Sequence, residues 1–218
     1  MHVVFSSDAR LLDGIEAADV DEYKLAGLLG MTVTEGPLLP GPILKGHWRG
    51  FTVEITVAPK IRDEDTETVA LFPQTTEFQI TFHLEKSSDV EMGIRHRSIE
   101  VTGPPRPALP GARKCMIEPE FGREYTVRGP NTRAVKVILD PEMQELIRRL
   151  EKFGPPEISI EYSLLRYRGV GDFLERYRDL PGILGALVEI GRHIDGKLTI
   201  GLRKNPGIFS LGKGEGSA

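Results

Sequence analysis

An α+β fold, with a predominantly antiparallel sheet in meander order and helices packed on one face, is predicted from three observations. Phe51 to Val57 and Phe78 to Leu84 alternate apolar with polar residues, as strands with one buried and one wet face do. Asp140 to Phe153 instead repeats apolar residues every three or four positions, which is the helical spacing. The chain has 218 residues, 39% apolar and 28% charged, which is ordinary for a fold with a real core and excludes disorder of the whole.

In chain order, His2 to Phe5 reads as a short strand or coil. Ser7 or Asp8 is placed to cap a helix through Leu12, and Asp21 to cap one through Leu29. Met31 to Glu35 is β-like, and Pro37, Pro40, Gly41 and Pro42 punctuate the stretch after it. Ile43 to Trp48 and Phe51 to Val57 flank Arg49-Gly50, which predicts a hairpin with a less usual turn than Asn-Gly. Val90 to Ile94 and Ile99 to Val101 extend the meander.

Gly103 to Gly111 is a proline-rich linker, because consecutive prolines remove ladder donors and favour extended backbone. It divides the chain into residues 1–102, a linker at 103–112, an α+β segment at 113–211 packed onto the first, and a tail at 212–218. Glu124 to Arg128 reads as a strand. Asn131 caps a short helix through Leu139, although Val135, Val137 and Leu139 also fit strand spacing.

Asp140 is an N-cap, Pro141 suits the first helical position, and Glu142 favours the positive helix end. Met143, Leu146, Ile147, Leu150 and Phe153 form the apolar stripe, with Arg148, Arg149 and Lys152 at the other end. Beyond Gly154-Pro155-Pro156, Glu157 to Arg168 is expected as one strand with Ile158, Ile160, Tyr162 and Leu164 inward. Leu180 to Ile194 is a second amphipathic helix, whose glycines each cost about 1 kcal/mol relative to alanine, so packing must hold it. Lys197 to Leu202 is expected as a last strand, and 212–218 has no packing residues, so a disordered tail is expected.

The net charge of −4 and pI near 5.8 disfavour a dedicated nucleic-acid or anionic-membrane binder. The lone Cys115 can form no internal disulfide, and no apolar run of signal length comes after Met1, so a cytoplasmic location is expected. No membrane span is expected, since charges and glycines interrupt Leu180 to Ile194. HExxH, paired CxxC, EF-hand and GxSxG patterns are all missing, so the sequence assigns no metal, cofactor or catalytic residue. Gly169-Val-Gly171 reads as a turn after a strand and not as a phosphate loop. Cys115 reads as a small buried residue. His83 reads as an exposed strand residue placed to meet Glu54 or Glu77 across the sheet.

Basic and aromatic residues interleave at His47-Trp48-Arg49, Arg95-His96-Arg97, Arg166-Tyr167-Arg168 and Arg176-Tyr177-Arg178. Such alternation cradles anions or stacks rings, and it also protects sheet edges from aggregation. His47, Trp48, Arg49, Arg166, Tyr167 and Arg168 are the binding candidates, with Trp48 as either an interface anchor or a core residue.

Phe121, Tyr125, Val127, Asn131, Ala134, Ile138, Leu139, Pro141, Met143, Leu146 and Leu150, followed by the Ile158 to Tyr167 strand and a late helix, form a pattern with a counterpart upstream in Leu44 to Ile55. Over about residues 43 to 200 it resembles uncharacterised bacterial proteins of the domain of unknown function 3137 type. The resemblance implies fold and bacterial origin, and it carries over no catalytic residue. Many such proteins carry membrane helices before the domain.

The function these features suggest is a non-enzymatic protein-interaction or assembly module whose partner is another protein or a second copy. Gly182, Gly185 and Gly191 would let the late helix approach a subunit, or pack it inside the monomer. One alternative is an enzyme on a small or phosphorylated substrate using His83, Glu54 or Glu85 on the polar sheet face. Another is an anionic-ligand or lipid-headgroup domain.

Overall fold

The structure, a computed structural model, describes residues 21–35, 42–57, 77–86, 90–102, 111–170 and 176–204. Asp21 caps α1 (Glu22–Leu29), accepting the Lys24 N–H at 2.6 Å. Gly30 closes the helix at a φ of 66°, where its N–H reaches the carbonyls of Ala26 and Gly27. The chain then enters β1 (Thr32–Glu35), β2 (Pro42–Trp48), β3 (Phe51–Val57) and β4 (Glu77–His83), each antiparallel to the last. Arg49 at φ 47° and Gly50 at φ 97° make the β2–β3 turn, since two left-handed residues match the twist of a tight hairpin.

After β4, chain order and sheet order part. β5 (Glu91–His96), α2 (Arg97–Thr102), β6 (Arg113–Lys114), α3 (Pro119–Glu124) and β7 (Tyr125–Gly129) come first. Next are α4 (Thr132–Ile138), α5 (Pro141–Leu150), a 3-10 turn at Glu151–Phe153, β8 (Glu157–Glu161), β9 (Leu164–Val170) and α6 (Leu180–Lys204). The described strands form one antiparallel sheet in the order β1-β2-β3-β4-β9-β8-β5-β7-β6. The β8–β9 hairpin is inserted between β4 and β5, so strands from both sides of residues 103–112 share this sheet.

Register explains the core. Leu44, Ile55, Ile80, Tyr167, Ile158, Ile94 and Val127 are successive cross-strand partners, and none is more than 1% exposed. Val53, Phe82, Leu165, Ile160 and Met92 make a second such row, equally buried. Ala134, Val135 and Ile138 of α4, the α5 stripe and the apolar residues of α6 join these rows in one core cluster. The expected helices at Asp21, Asn131 and Asp140 all form, each with its cap residue accepting a backbone N–H.

Several expectations are corrected. Residues 157–168 are two strands, because the chain reverses at Tyr162-Ser163. Tyr162 is exposed at φ 55°, and Leu165 and Tyr167, not Leu164, face inward. Ile99 to Val101 lies in α2 and adds no strand. Gly169 is not in a turn but pairs with Phe78 inside β9. Lys197 to Leu202 belongs to α6, because Leu198 extends the four-residue spacing of Ile190 and Ile194 and is buried. Expectations for residues 1–20, 103–110 and 212–218 lie outside the described residues. No helix among the described residues is long and apolar enough to cross a membrane.

Candidate functional site

Because strand side chains alternate, the rows between the core rows project from the opposite face of the sheet. Lys45, Glu54, Thr81, Arg166 and Ser159 are successive partners from β2 to β8, and His47, Thr52 and His83 form the row beside them. Lys45 Nζ lies 2.9 Å from Glu54 Oε1, and His83 Nε2 lies 3.9 Å from the same oxygen. The Thr52 hydroxyl is 3.5 Å from His47 Nε2, and Arg166 Nη1 donates to Glu161 Oε2 at 2.5 Å. These ion pairs are partly solvated, so each is worth about 0–1 kcal/mol and can be exchanged for a partner's charge.

The structure places the six binding candidates in different surroundings. His47 is exposed on this polar face, and Arg166 and Arg168 share the face. Two strands lie between β2 and β9, which are therefore about 14 Å apart at the usual strand spacing. Arg166 and Arg168 are further displaced along β9 from Leu164, the residue in register with the His47 row, so His47 and the arginines do not converge. Tyr167 points the other way into the core, where burial pushes its phenol up to about 12, with Arg176 lowering and Asp179 raising it. Trp48 is half-buried against the core, and its buried Nε1 has no hydrogen-bond partner among the described residues. Arg49 sits in the hairpin turn, and its carbonyl accepts from Arg192 Nη2 at 3.4 Å.

The other basic-aromatic triplets are built into the fold. His96 Nδ1 is 2.7 Å from the Ser98 hydroxyl, Arg97 donates to the Gly122 carbonyl at 2.6 Å, and Arg176 holds Asp179 and the Phe153 carbonyl. Tyr177 is buried beneath the Arg178 guanidinium. Cys115 is buried too, and that burial pushes its thiol up against the opposing pull of Thr132, Gly129 and Lys136.

A polar cluster lies where the N-terminus of α5 meets α6. Asp140 Oδ1 accepts the Met143 N–H at 3.0 Å, as the cap predicts, while Oδ2 is 2.5 Å from Lys197 Nζ. The His193 side chain is 7% exposed, with Nε2 3.0 Å from Asp140 Oδ1 and Nδ1 3.5 Å from Glu142 Oε2. The Nε2 contact is an ion-pair distance and not an aligned hydrogen bond. Burial works to raise the Asp140 pKa, but Lys197, the Met143 N–H and His193 outweigh it and hold the carboxyl below the usual range. The sequence reveals only the cap here, since Asp140 and His193 are brought together by tertiary packing alone.

Asp140, Glu142 and His193 lie close enough for a metal ion. The arrangement does not favour one. The two ring nitrogens face different carboxylates, whereas a ligand histidine offers one nitrogen to the ion, and the Lys197 ammonium already fills the Asp140 side. A second hub lies at Asp195 on the same helix. Asp195 accepts the Glu85 and Lys86 N–H groups at 3.3 Å each, and the Lys86 ammonium bonds the Thr199 hydroxyl.

No family model matches the chain, and no curated protein matches it. Among solved structures, it is similar to the crystal structure of the mycobacterial trehalose monomycolate transport factor A, TtfA. The identity is 14%, the match covers 82% of this chain and 92% of that chain, and the TM-score is 0.52. Likeness at that identity is likeness of fold.

Proposed function

We propose that this chain is a non-catalytic protein-interaction module of a bacterial assembly, docking a protein partner through the polar face of its sheet. The observation that carries the reading is the division of labour between the two faces. One face is consumed by the core. The other presents exchangeable, partly solvated charges of both signs at Lys45, Glu54, Arg166 and Glu161, beside His47, Thr52 and His83. Interspersed charges of this kind give register and partner choice more than raw affinity. The fold is similar to that of the transport factor TtfA, and the resemblance to the domain of unknown function 3137 type supports the bacterial origin.

A photo-crosslinking residue at Thr52, introduced in the native host, tests this. The expected result is a discrete adduct whose mass is chain plus partner, lost when Lys45→Glu and Arg166→Glu are combined. An adduct formed from Arg133 on α4 and not from Thr52 would place the interface elsewhere and reject the reading.

A further inference from the structure

We infer that the polar face carries a binding site for a phosphate group at Ser159 and Gly93, and that the docked partner supplies that group from a phosphorylated side chain. The inference rests on the proposed docking and names the chemistry the partner brings to it. Register builds the site. Arg166, Ser159, Gly93 and Arg128 are successive cross-strand partners from β9 to β7, so two arginines flank a small residue and one with no side chain. Ser159 and Gly93 are both partly exposed. Arg168, Glu157 and Arg95 form the row beside them on the same face.

Arg95 supplies the second observation. Its Nε and Nη2 are buried, and neither has a hydrogen-bond partner among the described residues. Those two nitrogens make one edge of the guanidinium, the edge that grips two oxygens of an oxyanion side by side. A guanidinium withdrawn from water with that edge unpaired is costly until an oxyanion meets it. The residue as a whole is partly exposed, which leaves a way in from the face. Charge then selects the oxyanion. The four guanidiniums are joined at the rim by Lys114, the partner of Arg128 on β6. Three carboxylates oppose them, Glu157 in the Arg95 row, Glu161 on Arg166, and Glu91 across from Glu161. The patch keeps an excess of two positive charges in a chain of net charge −4. A carboxylate neutralises only half of that excess, whereas a phosphate monoester carries about −1.5 to −2 at pH 7 and offers three acceptor oxygens.

Two measurements on the full chain test this. In the first, inorganic phosphate is titrated at constant ionic strength while the arginine Nε–H signals are followed by NMR. The Arg95 signal is expected to shift saturably, and far less with acetate. Arg95→Lys keeps the charge but loses the fork, so the affinity read on Arg128 should fall about tenfold or more. Arg128 is exposed, so Arg128→Gln folds and should weaken binding about three- to tenfold. Lys136→Gln, on α4 away from this face, should change nothing. In the second, the chain carrying the Thr52 crosslinker is mixed with native-host extract, and phosphatase treatment of the extract or Arg95→Lys should each remove most of the adduct. No saturable shift with phosphate, an equal shift with acetate, or full affinity in both arginine variants overturns the inference. So does an adduct that phosphatase leaves intact. Absence of any Thr52 adduct while phosphate still binds through Arg95 rejects the docking and the partner as the source, and leaves the phosphate site standing.

Discussion

The ring of Phe78 on β4 fills the space above Gly169, its cross-strand partner on β9. A Cβ at position 169 would stand 2.2 Å from Phe78 Cζ. Phe78 is 1% exposed and packs 6.2 Å from Tyr167, so it has nowhere to retreat. The glycine therefore acts as the socket for an aromatic ring at the seam where the β8–β9 hairpin joins the meander.

Gly169→Ala is expected to cost about 1–3 kcal/mol by overpacking. Gly185, inside α6, is the opposite case, because an added Cβ there meets nothing within 4 Å. Gly185→Ala should stabilise by about 0.5–1 kcal/mol through helix propensity. Urea denaturation of the two variants checks the contrast, and a loss at position 185 as large as that at 169 would show an unseen contact on this part of α6.

The α5 stripe grades with depth. Ile147 is fully buried while Leu146 is 8% exposed at its flank, and Glu145 is exposed. Leu146→Ala should cost about 2–5 kcal/mol, Ile147→Ala should sit at or above it in the same range, and Glu145→Ala should cost little. Denaturation midpoints in that order are the expected outcome. Equal midpoints for Leu146→Ala and Glu145→Ala would mean that the helix is rotated from the orientation described.

Two carboxylates of the α5–α6 region should respond to pH with opposite sign. Asp140 is held below its ordinary value, so its contribution to stability is present above about pH 4 and is lost as pH falls through the folded value. Asp195 is raised by burial, with the Glu85 and Lys86 N–H groups pulling against it and Glu85 repulsion adding to the rise. Its contribution is fully present below about pH 4 and disappears as pH rises through the folded value. Stability measured from pH 3 to pH 7 should show the advantage of wild type over Asp140→Asn growing with pH, and that over Asp195→Asn shrinking. Parallel curves for the two variants would contradict the assignment.

The sequence alone determined what depends on neighbours within a few residues. Asp140, Pro141 and the Met143 to Leu150 spacing specify a capped amphipathic helix with no help from elsewhere, and the alternation in Phe51 to Val57 and Phe78 to Leu84 specifies strands and the face each buries. Only the tertiary structure decided the features that rest on distant partners. Tyr162 at φ 55° turns a hairpin without glycine or asparagine, so no local signal marks the break, and the pairing of β9 with β4 holds it in place. The stretch Lys197 to Leu202 is helical because burying Leu198 and anchoring Asp195 on the Glu85–Lys86 backbone outweigh its strand-like pattern. The division of Arg166-Tyr167-Arg168 between two sheet faces follows from strand alternation once the chain is extended there. The meeting of Asp140 with His193 comes from helix packing, set by contacts between residues far apart in the chain, which local spacing does not encode.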